Sequence, residues 1–224
     1  MRARLSVTVA FLALGALGAC VSLKRTPEAR FFALRPVAER PQAETPRTPT
    51  SEESASIVGV LPVLLPGHLE RPQFVTWSGP GEVRVDEFLR WAEPLDAGVA
   101  RVLAEDLETL LPSHRVVRAP WPGSTPLRCR VRVELVRFGP QPGGEVSLSG
   151  RFVLLPAHSE RALVIGDADL RRDPAPGPSD PGRAVEAMSA LLAELAGRIA
   201  DAVAALPPAP QEPARATATV PRPM

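Results

Sequence analysis

Leu127-Arg128-Cys129-Arg130-Val131-Arg132-Val133-Glu134 alternates apolar and charged side chains at every step. That is the period of a strand with one face on a core and the other toward solvent, and the strand reads on to Phe138. Val146–Leu155 reads as a further strand, and the Pro140–Gly144 stretch between them makes the two a hairpin with a loose loop. Ala162–Leu170 reads as a closing strand and Arg115-Val116-Val117 as a short one before the hairpin.

Outside this block the period changes. Leu95, Val99, Val102, Leu103, Leu107, Leu110 and Leu111 fall on one stripe with Arg101, Glu105 and Glu108 opposite, which predicts an amphipathic helix between Pro94 and Pro112. A second helix begins at Asp180-Pro181, a capping residue followed by proline at the first helical position. Its seam is Val185, Met188, Leu192, Leu195, Ile199 and Leu206, and Pro207-Pro208 ends it. Upstream, Phe31–Leu34, Ile57–Leu64, Gln73–Thr76 and Glu82–Asp86 read as short strands, and the last three suggest a small antiparallel arrangement. The economical solution is an α+β, two-layer fold, with two long helices packed on one face of a mixed, mainly antiparallel sheet.

The N-terminus carries a different signal. Arg2 and Arg4 precede an apolar run from Leu5 to Leu17 that closes in Leu17-Gly18-Ala19-Cys20. This is the three-part layout of a signal peptide, too short for a confident membrane span. Cysteine at the cleavage point fits a lipoprotein signal over 1–19 with Cys20 as the lipidated residue; a plain cleaved signal and an uncleaved anchor are the alternatives. Residues 20–30 form a tether and 31–206 one domain, interrupted by a proline-rich connector over about 36–56 that is expected to lie outside the core. The tail from 207 to 224 has no reason to fold.

Removing Arg2 and Arg4 leaves 24 basic against 25 acidic side chains, a net charge of −1, so nothing favours nucleic acid as a partner. Lipidation of Cys20 leaves Cys129 alone, which excludes an intramolecular disulfide, and the alternation turns its thiol toward the core. His68, His114 and His158 lack ligand spacing with a second metal-binding residue. Asp167-Ala168-Asp169 begins like a calcium loop but lacks its later ligands. Nucleophile-elbow, phosphate-loop and dinucleotide patterns are missing, so no catalytic residue, metal or cofactor is assigned. Arg128, Arg130 and Arg132 share a strand face that could meet acidic groups, although pairing with local carboxylates is the default.

Two proline-rich segments are too specific for plain connections. One is Pro66-Gly67-His68-Leu69-Glu70-Arg71-Pro72; the other, Arg90-Trp91-Ala92-Glu93-Pro94-Leu95, leads into the first helix. Together with the lipoprotein signal they resemble the PqiC/YmbA-like group of auxiliary lipoproteins of ABC-type and MCE-type transport systems. His68 departs from that pattern, in which a tyrosine is common, and the proline-rich connector is long.

The resemblance implies a non-enzymatic lipoprotein of the outer membrane, facing the periplasm. It would dock ABC transporter or MCE-domain subunits in intermembrane transport of lipid or another hydrophobic solute. Pro66, Gly67, Leu69, Glu70, Arg71, Pro72, Arg90, Trp91 and Glu93 are then candidate contacts, with locking of the loop onto the sheet as the other reading. A periplasmic module that carries a lipid in its own apolar pocket is the alternative function.

Overall fold

The long hairpin forms as its alternation requires. In the computed structural model, which describes residues 27–38, 56–174 and 180–207, β6 (Leu127–Pro140) pairs antiparallel with β7 (Val146–Pro156), and β7 with β8 (Val164–Arg172). Cys129, Val131, Val133 and Leu135 of β6 are buried, as are Leu148 and Leu154 of β7 and Ala168 and Leu170 of β8. The signal segment, Cys20, the tether as far as residue 26, most of the connector and the tail from 208 lie outside the described residues.

Both helices cover this face. α1 (Leu95–Leu110) lies over the β5 (Arg115–Arg118) and β2 (Ile57–Val60) side, and α2 (Pro181–Ala204) over β6, β7 and β8. The predicted stripe of α1 is buried at Leu95, Val99, Val102, Leu103 and Leu107; in α2, Met188, Leu192, Leu195 and Ile199 do the same. Asp180 caps α2 as its sequence requires, accepting the Gly182 N–H at 3.1 Å.

The α+β class stands, but the strands divide between two sheets, one of order β5-β2-β6-β7-β8 and a smaller one in which β4 (Glu82–Trp91) lies between β1 (Arg30–Phe32) and β3 (Gln73–Gly79). β3 (Gln73–Gly79) and β4 (Glu82–Trp91) pair antiparallel, as expected of neighbours across a tight turn. Ile57–Val60 does not join them. It runs parallel between β5 and β6 in the larger sheet. The physical reason is that Ile-Val-Gly-Val is apolar without alternation, which suits a central strand covered on both faces. Helices cover one face; on the other, Trp121 stacks over Gly59, where a Cβ would lie 2.9 Å from the indole.

The small sheet is completed by β1 (Arg30–Phe32), parallel to the end of β4. Its inner face is aromatic, with Phe74 5.1 Å from Trp91 and 6.1 Å from Phe32 between ring centroids.

Candidate functional site

Beyond β1 the chain becomes a strap along the two helices. Phe32 C=O accepts from the Ala92 N–H at 2.8 Å, and Leu34 is only 2 % exposed. The Leu34 carbonyl accepts from Arg101 Nη2 of α1 at 2.9 Å, and the Arg35 N–H donates to Ser189 Oγ of α2 at 3.2 Å. Val37 and Ala38 donate their N–H groups to Asp106 Oδ1 at 3.0 and 2.9 Å. Arg30 joins the Asp180 carboxylate at the start of α2 at 2.9 Å. Residues 36–38 therefore belong to the folded body, contrary to a connector that begins at 36. Side chains on the helices satisfy backbone groups that a strap has no neighbouring strand to satisfy.

This strap explains two polar residues inside the protein. Asp106 is 0 % exposed and Ser189 2 %, each on the apolar stripe of its helix. Burial holds the Asp106 carboxyl above its ordinary range, against the two backbone donors that favour its charged form.

The two proline-rich motifs meet beside the strap. Gln73 faces Arg90 across β3 and β4, and the Trp91 N–H donates to the Pro72 carbonyl at 2.8 Å. The Pro66–Glu70 turn is closed by Leu69 N–H to Pro66 O at 2.8 Å and Glu70 N–H to Gly67 O at 3.3 Å. Between the motifs lies a groove of about 400 Å³, lined by Glu70, Arg71 and Pro72 on one side and Trp91 to Asp96 on the other.

The motif residues divide by role. Leu69 and Trp91 are buried and belong to the core. Glu93 accepts from Arg101 Nη2 at 2.6 Å and packs over Gly98, where a Cβ would lie 3.2 Å from its Oε1. The same guanidinium thus holds Glu93, Glu105 and the strap. Arg90 turns back along its own strand, donating from Nε to the Glu87 carbonyl at 3.1 Å.

Glu70 and Arg71, by contrast, are exposed, and among the described residues neither side chain has a hydrogen bond or ion pair. Pro66, Gly67 and Pro72 shape the turn that carries them. The His68 ring packs edge-on against Trp77, with centroids 5.4 Å apart.

Elsewhere the charges are mostly taken up locally. Arg130 and Arg132 both reach Glu160, at 2.9 and 2.6 Å, and hold its carboxyl below the usual range. Arg128 donates to the Leu206 carbonyl at 2.8 Å. Asp167 and Asp169 pair with Arg151 and Arg171. The Cys129 thiol is buried, which pushes its pKa up to about 11 and disfavours the reactive thiolate. Among the described residues no three His, Cys, Asp or Glu side chains gather as a metal site would need. Arg101, Asp106 and Ser189 went unassigned in the sequence; a polar residue on an apolar stripe was the available signal for the last two.

Two helices on a mixed five-stranded sheet, a small aromatic-lined sheet and a strap over the helices define the class of protein by shape. Residues 39–200 match the family described as ABC-type transport auxiliary lipoprotein component, and the chain belongs to that family, in line with the resemblance carried by the two motifs. A crystal structure of an uncharacterized protein superposes with a TM-score of 0.63 at 16% identity, covering 79% of this chain and 99% of the other. A Xanthomonas campestris protein of family DUF330 gives 0.60 at 14% identity, with 76% and 92% covered. These likenesses show the fold. A search of functionally curated proteins returns no match.

Proposed function

We propose that this chain is a non-enzymatic docking component, anchored by lipid at Cys20, whose groove between Glu70–Pro72 and Trp91–Asp96 receives a subunit of an ABC- or MCE-type transporter. One observation carries this reading. The two family-like motifs share one surface on which Trp91, Glu93 and Leu69 are used up in the fold, while Glu70 and Arg71 are exposed beside the groove and, among the described residues, unpaired. Opposite charges without a partner among the described residues, at the edge of a groove, suit a protein partner, which gains specificity from the charges and contact area from the groove.

The strap suits the same role, because it fixes the anchored end of the chain to both helices. An outer-membrane position facing the periplasm, and intermembrane movement of lipid or another hydrophobic solute, follow from the family resemblance. The space between helices and sheet holds the buried side chains of Leu103, Leu107, Leu148, Leu154, Leu191 and Leu192. That packing favours docking over carriage of a lipid inside the body.

Photocrosslinking tests the reading. A photoreactive amino acid at position 92, an exposed groove residue, in cells with the intact lipoprotein, is expected to label a transporter subunit, whereas the same group at Glu194, on the exposed side of α2, is not. Labelling of no transporter component from position 92 overturns the proposal.

A further inference from the structure

Two large aromatic side chains stand outside the core, Phe31 at 64 % exposure and Phe88 at 36 %. They belong to one face. Phe31 pairs in register with Arg90, and alternation along β4 puts Phe88 and Arg90 on the side away from Leu89 and Trp91, which pack against the core. Phe88 is also held out by the backbone. The β3 partners step from Gln73↔Arg90 to Phe74↔Asp86, leaving residues 87–89 as a bulge on that side. Asp86 Oδ1 fixes it by accepting the N–H groups of Phe88 and Leu89 at 2.9 and 3.2 Å. One exposed ring needs no explanation, but two on one face, one of them presented by a fixed bulge, form a patch that a partner surface could cover.

We propose that Phe31 and Phe88 form the face by which the anchored body rests on its bilayer. The inference depends on lipidation at Cys20 as read above. Cys20 stands eleven residues ahead of Phe31, so an anchor at Cys20 can lie at most about 40 Å from this face. Two of the neighbouring charges are paired, Arg90 with Glu87 and Arg30 with Asp180. Exposed rings beside paired charges fit the headgroup boundary of a zwitterionic membrane, where such side chains settle. Acyl chains alone hold the protein to the membrane but leave its orientation free. The two rings set which side of the body faces the lipid.

The test uses the full lipidated chain carrying Phe88→Trp, in phosphatidylcholine vesicles with brominated acyl chains, with the parent chain measured in parallel to subtract its own tryptophans. The added emission is expected to shift to the blue and to be quenched by the bromines, with little response to high salt. Added emission that stays as open to aqueous quencher as in the Cys20→Ser chain in buffer overturns the proposal. So does a shift that appears only when transporter subunits are supplied, because the patch then belongs to a protein. In the Cys20→Ser background, Phe31→Ser/Phe88→Ser is expected to lower vesicle partitioning by about tenfold or more; an unchanged partition counts against the proposal. Mass spectrometry of the same sample separates the causes. An N-terminal peptide without diacylglyceryl removes the anchor and this proposal together, whereas a lipidated but unquenched chain removes this proposal alone.

Discussion

The strap and the groove both border α1, the strap along its length to Asp106 and the groove at its N-terminal end, yet they treat their polar groups in opposite ways. Along the strap, the Leu34 carbonyl and the N–H groups of Arg35, Val37 and Ala38 all find partners on the helices, at distances of 2.9 to 3.2 Å. Along the groove, Glu70 and Arg71 are exposed and unpaired among the described residues. A buried polar group without a partner costs free energy, so the strap's groups are tied down. Exposed charges have no such obligation and remain available to a partner. The difference separates residues that hold the fold from residues that face outward, even inside one sequence motif.

Substitutions test that separation, beginning where the effect is largest. Trp91→Ala removes a buried ring packed at a tilt against Phe74 and is expected to cost about 3–5 kcal/mol of stability, measured by urea unfolding. A loss near that of a surface site would move Trp91 from the fold to the partner surface.

Asp106→Leu leaves the N–H groups of Val37 and Ala38 without their acceptor and is expected to cost about 2 kcal/mol and to raise hydrogen exchange at residues 37 and 38. Asp106→Asn keeps an acceptor and is expected to cost much less. The pH response distinguishes them further. Burial holds the folded carboxyl above its unfolded value, so the folded chain binds that proton more tightly. The resulting stability is present below the ordinary carboxylate range and is lost as pH rises through the raised folded value. Asp106→Asn is therefore expected to gain on the parent as pH rises from about 3 to 7, and thermal unfolding across that range would detect it.

Glu93→Gln weakens the part-exposed ion pair with Arg101 and is expected to cost about 1 kcal/mol by the same unfolding measurement. Glu70→Ala and Arg71→Ala, alone or together, are expected to change stability by less than about 0.5 kcal/mol. A larger change would mean that these two charges belong with the strap.

Sequence period revealed the parts whose environment is uniform along their length. The β6–β7 hairpin alternates because one face is covered throughout, and α1 and α2 keep a stripe because the sheet beneath them is continuous. Ile57–Val60 has no such mark. Four residues covered on both faces show no alternation, and its neighbours, β5 and β6, are fixed by tertiary packing that a local pattern does not encode. The strap was equally hidden, because apart from the buried Leu34 side chain it is held through backbone groups of Leu34, Arg35, Val37 and Ala38, and its recognition depends on Arg101, Asp106 and Ser189, far away in sequence. Of the groove, the motifs were legible as residues. Their division into buried Trp91 and Leu69, paired Glu93 and free Glu70 and Arg71 required knowing which side chains find partners in the fold.

In the proposed function, Glu70 and Arg71 at the groove of Trp91 to Asp96 are what a transporter subunit grips. Quantitative co-purification from membranes, comparing the lipidated parent with Glu70→Ala/Arg71→Ala at equal membrane content, tests it most directly. The account predicts that transporter subunits accompany the parent and fall by about tenfold or more in the double variant, with the unfolding midpoint unchanged. Equal recovery of transporter subunits with both chains would contradict it.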